Sequence, residues 1–283
     1  MTIKYNYEPI SRGILYVGGS GEGNYTSIQD AIDNASNGET VVVLNDSSPY
    51  VENVVIDKTI ILIGEDKEST IIDGGESGNT IEISANNTVI RNFTITKGTN
   101  GLYLNSGCEY NDIYNNKIEE NSIGIYLFDV CKWNTFESNI IENNTDDGIH
   151  LHYGGVSDNN DFNSFLNNSV SYNSGDGIDI GSTCSGNVLD GNVLDGNVGF
   201  GVRLFHLDNY IYLSNTVQGE PIHYFYDVHG TEDDPVVVEN QVLNLGNAIN
   251  KAKIYVYQSS YITIRNCTLE NGSNMNLCLD SSV

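Results

Sequence analysis

Apolar and polar positions follow one recurring pattern through the middle of the chain. NDIYNNKIEENSIGIYL (111–127), NTFESNIIENNTDDGIHL (134–151), NSFLNNSVSYNSGDGIDI (163–180) and NVLDGNVLDGNVGFGVRL (187–204) align with one another. Each reads Asn, an apolar residue between polar ones, Asn, a second such triplet, Asn, a short turn, then Gly and an apolar–x–apolar triplet. The Gly recurs at 101, 124, 148, 177 and 201, in steps of 23, 24, 29 and 24 residues. The long step carries an insertion within HYGGVSDNND (152–161), a loop. Triplets with period-two alternation are strands, and three per repeat predict one coil of a right-handed parallel β-helix, with coils stacked at about 4.8 Å. Equivalent positions then form columns. Ile113, Phe136, Phe165 and Leu189 are expected to stack inside. Asn116, Asn139, Asn168 and Asn192, with Asn121, Asn144, Asn173 and Asn197, are expected at the corners, in αL geometry and bonding from coil to coil.

The flanks differ. In YTSIQDAIDNAS, residues Ile28, Ala31, Ile32 and Ala35 fall on one helical stripe, and Thr26 with Gln29 has capping-box spacing. This predicts a short helix near 27–36, within a capping region 24–36, that covers the open end of the core. Regular coils are expected over 80–217, an irregular insertion over 218–252 and a final coil over 253–283. No cap follows that coil, so a covering partner or further domains are expected at the C-terminal end.

Composition narrows the function classes. Among 283 residues there are 39 Asn and 29 Gly, which resist helix and favour turns. Twelve Lys+Arg stand against 38 Asp+Glu, a net charge of −26, which excludes nucleic acid as a partner because phosphate binding needs clustered cations. No apolar run has the ~20 residues of a membrane-spanning helix, so no membrane insertion is expected. N-x-S/T sites at Asn24, Asn34, Asn45, Asn86, Asn92, Asn143, Asn167, Asn266 and Asn271 are compatible with a glycosylated surface protein.

GNYTSIQDAIDNASNGETVVV, then YVENVVIDKTIILIGEDKESTIIDG, the Asn-rich coils and GEPIHYFY resemble the NosD-like group of parallel β-helix repeat proteins, in the pectin-lyase-like superfamily. That group is abundant among archaeal cell-surface proteins. The resemblance spans essentially the whole chain and implies the β-helix fold and an extracellular or cell-surface location, with no signal peptide in this sequence. It does not select a chemistry, since relatives include polysaccharide lyases, glycosidases, epimerases and non-catalytic surface modules. NTDDGIHL and SGDGIDIGST resemble the Asp-bearing strands of polygalacturonase-type glycosidases, which implies roles for Asp147, Asp176 and Asp179. The G-H-G and R-I-K motifs of that family are absent.

One outward column stands apart. The middle residue of the Gly-led triplet reads Tyr103, Tyr126, His150, Asp179 and Arg203 down the stack. His152 shares that face if the strand continues, His206 lies just beyond Arg203, and Asp147 and Asp176 precede the Gly in adjacent coils. The tyrosines, with His152 and His206, offer binding surface for sugar rings; His150, Asp179, Arg203, Asp147 and Asp176 offer acid, base and cation. Paired carboxylates suit glycoside hydrolysis. Tyr126, His150 and Arg203 suit proton abstraction from a uronate, with Ca2+ reconciling an acidic substrate with an acidic protein. Polysaccharide is the expected partner under both chemistries. A surface module without catalysis is the rival reading, in which the column is an exposed charge ladder. A metal-handling protein, with His150 and His152 joined by Asp179 or His206, is the third.

Of five cysteines, Cys108, Cys131 and Cys184 each stand three residues before a ladder Asn. Cys108 and Cys131 are in adjacent coils, about 5 Å apart at Cα, and are the disulfide candidates.

Overall fold

The structure is a computed structural model. It describes residues 13–152, 160–205 and 208–226, and beyond them the strands Val236–Glu239, Val242–Asn244, Ile254–Tyr257, Ile262–Arg265, Thr268–Glu270 and Leu277–Asp280. Three parallel sheets of nine, seven and six strands wind around one core as a β-helix. The coils from Ile61–Gly64 to Ile178–Ile180 each contribute one strand to each sheet, and register is kept from coil to coil. Ile113 pairs with Phe136, Phe136 with Phe165, and Phe165 with Leu189. All four are fully buried, and the Phe136 and Phe165 rings stack at 5.1 Å.

The corners are held by amide ladders. The Asn116 N–H donates to Asn139 Oδ1 at 3.0 Å, and the Asn139 N–H donates to Asn168 Oδ1 at 3.0 Å. The side-chain amide of Asn139 also donates to Ile113 O at 2.9 Å and Asn168 Oδ1 at 3.1 Å. The left-handed conformation lies one residue earlier than expected. Asn115, Ser138 and Asn167 have φ of 54°, 58° and 55°. A left-handed residue turns the chain through the corner, and the following ladder Asn is left pointing along the axis, where its amide meets the next coil.

At the first coil, Ile28–Asn34 is a helix whose Ile28, Ala31 and Ile32 close the core. Its start differs from the expected Thr26–Gln29 box. Ser27 is the N-cap and accepts from the Asp30 N–H. Glu52, from the next coil, accepts from the Ile28 and Gln29 N–H groups at 2.9 and 3.0 Å. Gln29 is drawn to a strand instead: its Oε1 accepts from Val55 N–H and its Nε2 donates to Val55 O.

Within the stretch where the repeat motif fades, His223–Tyr226, Val236–Glu239 and Val242–Asn244 are strands. They pair in parallel with Ile254–Tyr257, Ile262–Arg265 and Thr268–Glu270, and Leu277–Asp280 extends the first of these sheets. Cys108, Cys131 and Cys184 are buried free thiols. The hydrogen bond with Cys131, together with burial, pushes the Cys108 thiol up. No helix among the described residues is long and apolar enough to cross a membrane.

Candidate functional site

The second sheet places Tyr103, Tyr126, His150, Asp179 and Arg203 in one register column. The rings pack on each other: Tyr103 on Tyr126 at 5.5 Å and Tyr126 on His150 at 5.2 Å, each pair within 6° of parallel. Both faces of Tyr126 are therefore covered by neighbouring rings, and Tyr103 is covered on its Tyr126 side. Burial and the nearby Tyr103 push Tyr126 up to about 12, so it stays a neutral phenol.

Asp147 and Asp176 sit at the corner before this sheet, ahead of Gly148 and Gly177. A Cβ on Gly148 would fall 2.4 Å from Val170 Cγ1 and 2.8 Å from Gly177 O, so the chain passes there only as glycine. Each aspartate splits its carboxylate between two tasks. Asp147 Oδ1 accepts from the Asp176 N–H, and its Oδ2 lies 2.8 Å from His150 Nδ1. One coil on, Asp176 Oδ1 accepts from the Phe200 N–H, and its Oδ2 lies 2.8 Å from Arg203 Nε. That second contact is an ion pair without a hydrogen bond, because the Nε–H itself has no acceptor.

Asp179 joins the two halves. Its Oδ2 accepts from Arg203 Nη2 at 2.5 Å and lies 3.5 Å from His150 Nδ1. Its Oδ1 is buried without a hydrogen-bond partner. Asp147, Asp176 and Asp179 are only 5%, 6% and 3% exposed, which corrects the expectation of an exposed charge ladder. The cause is side-chain length. The carboxylates are short: Asp147 is met by His150 of its own coil, and Asp176 and Asp179 by Arg203 of the next.

Burial lowers the basicity of His150, but Asp147 and Asp179 outweigh it and the net shift is upward. Asp176 is pushed up to about 6, chiefly by burial, with Asp147 and Asp179 adding to it and Phe200 N–H and Arg203 opposing. Burial and Asp147 also raise Asp146. The hydrogen bond to Asp179 raises Arg203, which stays charged. Beside the cluster lies an open groove of about 410 Å3, lined by His150, Leu151, His152, Asp179, Gly181, Ser182 and Phe205.

His152 lies on the same face as expected, its ring stacked on Phe128 at 5.5 Å. His206 lies outside the described residues. Phe128, Gly181 and Phe205 were not read from the sequence as site residues. Each stands two positions after a column residue, the same i+2 spacing that placed His152. One ligand atom from each of Asp147, His150 and Asp179 lies within 4.8 Å of the others, close enough to hold a cation.

Residues 32–219 match the model of the family described as periplasmic copper-binding protein (NosD). A cell surface glycoprotein of Methanothermus fervidus is 36% identical over 87 residues, 30% of this chain and 14% of that protein, so the match spans a small part of its length. Among solved structures, the alginate lyase of Paenibacillus sp. str. FPU-7 superposes with a TM-score of 0.64 at 13% identity, covering 95% of this chain and 99% of its own. The A-module of an Azotobacter vinelandii mannuronan C-5 epimerase superposes with a TM-score of 0.53 at 16% identity, covering 84% and 70%. At these identities the likeness establishes the pectin-lyase-like fold.

Proposed function

We propose that this chain, which belongs to the NosD family, is an extracellular β-helix that binds a polysaccharide along the His150–Arg203 face and cleaves it by acid–base chemistry. The observation that carries the reading is the seating of His150. Its Nδ1 is held by Asp147 and Asp179, which leaves Nε2 as the nitrogen for a substrate proton. Asp176, with a pKa near 6, stands one coil away, so acid and base forms coexist near neutrality.

The charges favour hydrolysis of a neutral sugar over elimination from a uronate. Arg203, the cation that would neutralise a substrate carboxylate, is already engaged by Asp176 and Asp179. The chain as a whole carries −26 and repels a polyanion. The family description names copper, and the described residues do not fit it. Copper is best served by thiolate, thioether and imidazole ligands. Cys108, Cys131 and Cys184 are sealed in the core, and of the two described imidazoles on the face His150 is held at Nδ1 by Asp147 and Asp179 while His152 is stacked on Phe128. A non-catalytic surface module is the second reading. It is favoured by the identity to a cell surface glycoprotein and by the closure of the charge cluster upon itself.

The test is a glycan panel with products read by mass and by the ultraviolet absorbance of unsaturated uronates. Hydrolysis gives shorter saturated products with wild type and none with a folded His150→Gln protein. Unsaturated ends would replace hydrolysis by elimination. Neither binding nor turnover would leave the surface module.

A further inference from the structure

The residues that follow the second-sheet strands form a row of their own. Leu127 pairs with Leu151, Leu151 with Ile180 and Ile180 with Leu204, so the next positions are Phe128, His152, Gly181 and Phe205, one per coil. Three carry rings and one carries none. Phe128 and His152 stack at 5.5 Å with 15° between planes. The next place in the row is empty of side chain, and Phe205 follows. His152 and Phe205 are therefore two coil spacings apart, about 10 Å, with Gly181 as the floor between them. The 410 Å3 groove opens at this gap, and Gly181, Ser182 and Phe205 line it together with His150, His152 and Asp179.

We propose that this gap is a subsite for a single neutral pyranose ring, held between the His152 and Phe205 rings as the missing member of the row. The proposal rests on the reading of the face as glycan-binding and names the substrate class for it. A ring seated midway lies roughly 5 Å from each flanking ring, within the range at which flat rings stack. Phe205 is braced for this: the Arg203 guanidinium lies over its ring at 5.1 Å and is itself tied to Asp179. The exposed wall of the gap is mostly apolar, as are its ends, which suits the C–H faces of a sugar ring. Ser182 supplies a hydroxyl at the edge for a ring hydroxyl, while the Asp179 carboxylate is buried and taken by Arg203. The wall also excludes acidic sugars, because Asp147, Asp176 and Asp179 lie behind it with Arg203 already paired.

Glycine is not required at 181 by the backbone. Its φ is not in the left-handed range, and its N–H donates to Leu151 O at 3.2 Å like the other rungs of the row. A side chain there can follow the path of Phe128 and Phe205. Gly181→Phe is thus expected to complete the row, keep or raise the melting temperature, and close the subsite. The probes are neutral hexose trisaccharides and a uronate trimer, followed by calorimetry and saturation-transfer NMR. Wild type is expected to bind a neutral trisaccharide, with saturation delivered to its ring C–H protons, and to leave the uronate trimer unbound. Gly181→Phe and, independently, Phe205→Ala are expected to weaken binding ~10-fold or more. Unchanged affinity in either folded variant, or preference for the uronate, overturns the proposal. If Gly181→Phe still binds and cleaves polysaccharide, the subsite is wrong while the acid–base reading of the face stands. If wild type binds no glycan at all, both fall.

Discussion

His150, Asp147, Asp176, Asp179 and Arg203 are legible in the sequence as a set because one column and one corner collect them. Their burial is not, because it depends on which longer side chains meet the short ones. Burial changes what each residue does when altered. Arg203→Met strips the cation from two buried carboxylates. The expected cost is about 2 kcal/mol, below the range for a fully buried pair because the Arg203 side chain is 39% exposed. A denaturant titration measures it. The pH dependence has a definite sign. Asp176 titrates near 6 in the folded protein against an ordinary 3.8. Its contribution to stability is present below the ordinary carboxylate value and is lost as pH rises through about 6. His150 is also raised, from 6.5, so its contribution is present below 6.5 and is lost as pH rises through its higher folded value. Thermal melts should therefore fall from mildly acid to mildly alkaline pH. Asp176→Asn, which keeps an acceptor for the Phe200 N–H, should flatten the lower part of that fall. A wild-type curve rising over this range would contradict both assignments.

At the scale of the coil, the corner asparagines divide into two kinds that look identical in sequence. Asn139 is buried and accepts from the Asn116 N–H while donating to Ile113 O and Asn168 Oδ1. Asn143 is exposed and serves as the left-handed corner residue, with φ of 56°. Asn139→Ala takes the side-chain partner from the buried Asn116 N–H and from Ile113 O, leaves Asn168 Oδ1 with the Asn139 N–H alone, and should cost ~2–4 kcal/mol. Asn143→Gly meets the same backbone requirement and should change stability by less than ~0.5 kcal/mol. Equal effects at the two sites, measured by chemical denaturation, would remove the distinction. The start of the helix Ile28–Asn34 shows the same limit of local reading. The Thr26–Gln29 spacing suggests a box, yet a Glu52 carboxylate from the next coil takes the first amides, because it also lies where the N-terminal ends of the peptide dipoles converge.

Across the whole molecule the dominant long-range force is self-repulsion. A chain with 38 acidic and 12 basic side chains gains more from screening of like charges than it loses from weakened ion pairs. The melting temperature should rise as sodium chloride is increased from a few millimolar to about 0.15 M, where the Debye length is about 8 Å. A fall would mean that the buried pairs around Arg203 outweigh the surface field. The same field bears on ligand choice, since it disfavours acidic glycans at every face of the solenoid and is consistent with a neutral ring at Gly181.

The sequence by itself determined the solenoid: a period of 23 to 24 residues, apolar triplets and recurrent Asn and Gly can be satisfied together only when coil stacks on coil. It also placed Tyr103, Tyr126, His150, Asp179 and Arg203 in one file, since in-register stacking turns equal spacing into adjacency. What the tertiary structure alone decided is what those neighbours do to one another. The Tyr103, Tyr126 and His150 rings cover each other's faces, the Asp147 carboxylate is shared between a backbone amide and an imidazole, and Arg203 is consumed by Asp176 and Asp179. The gap at Gly181 belongs to the same class. One glycine among 29 carries no mark in the sequence, and it becomes a cavity only because rings stand one coil away on either side. Adjacency follows from periodicity, whereas protonation, occlusion and vacancy follow from side-chain length and direction in three dimensions, which no repeat encodes.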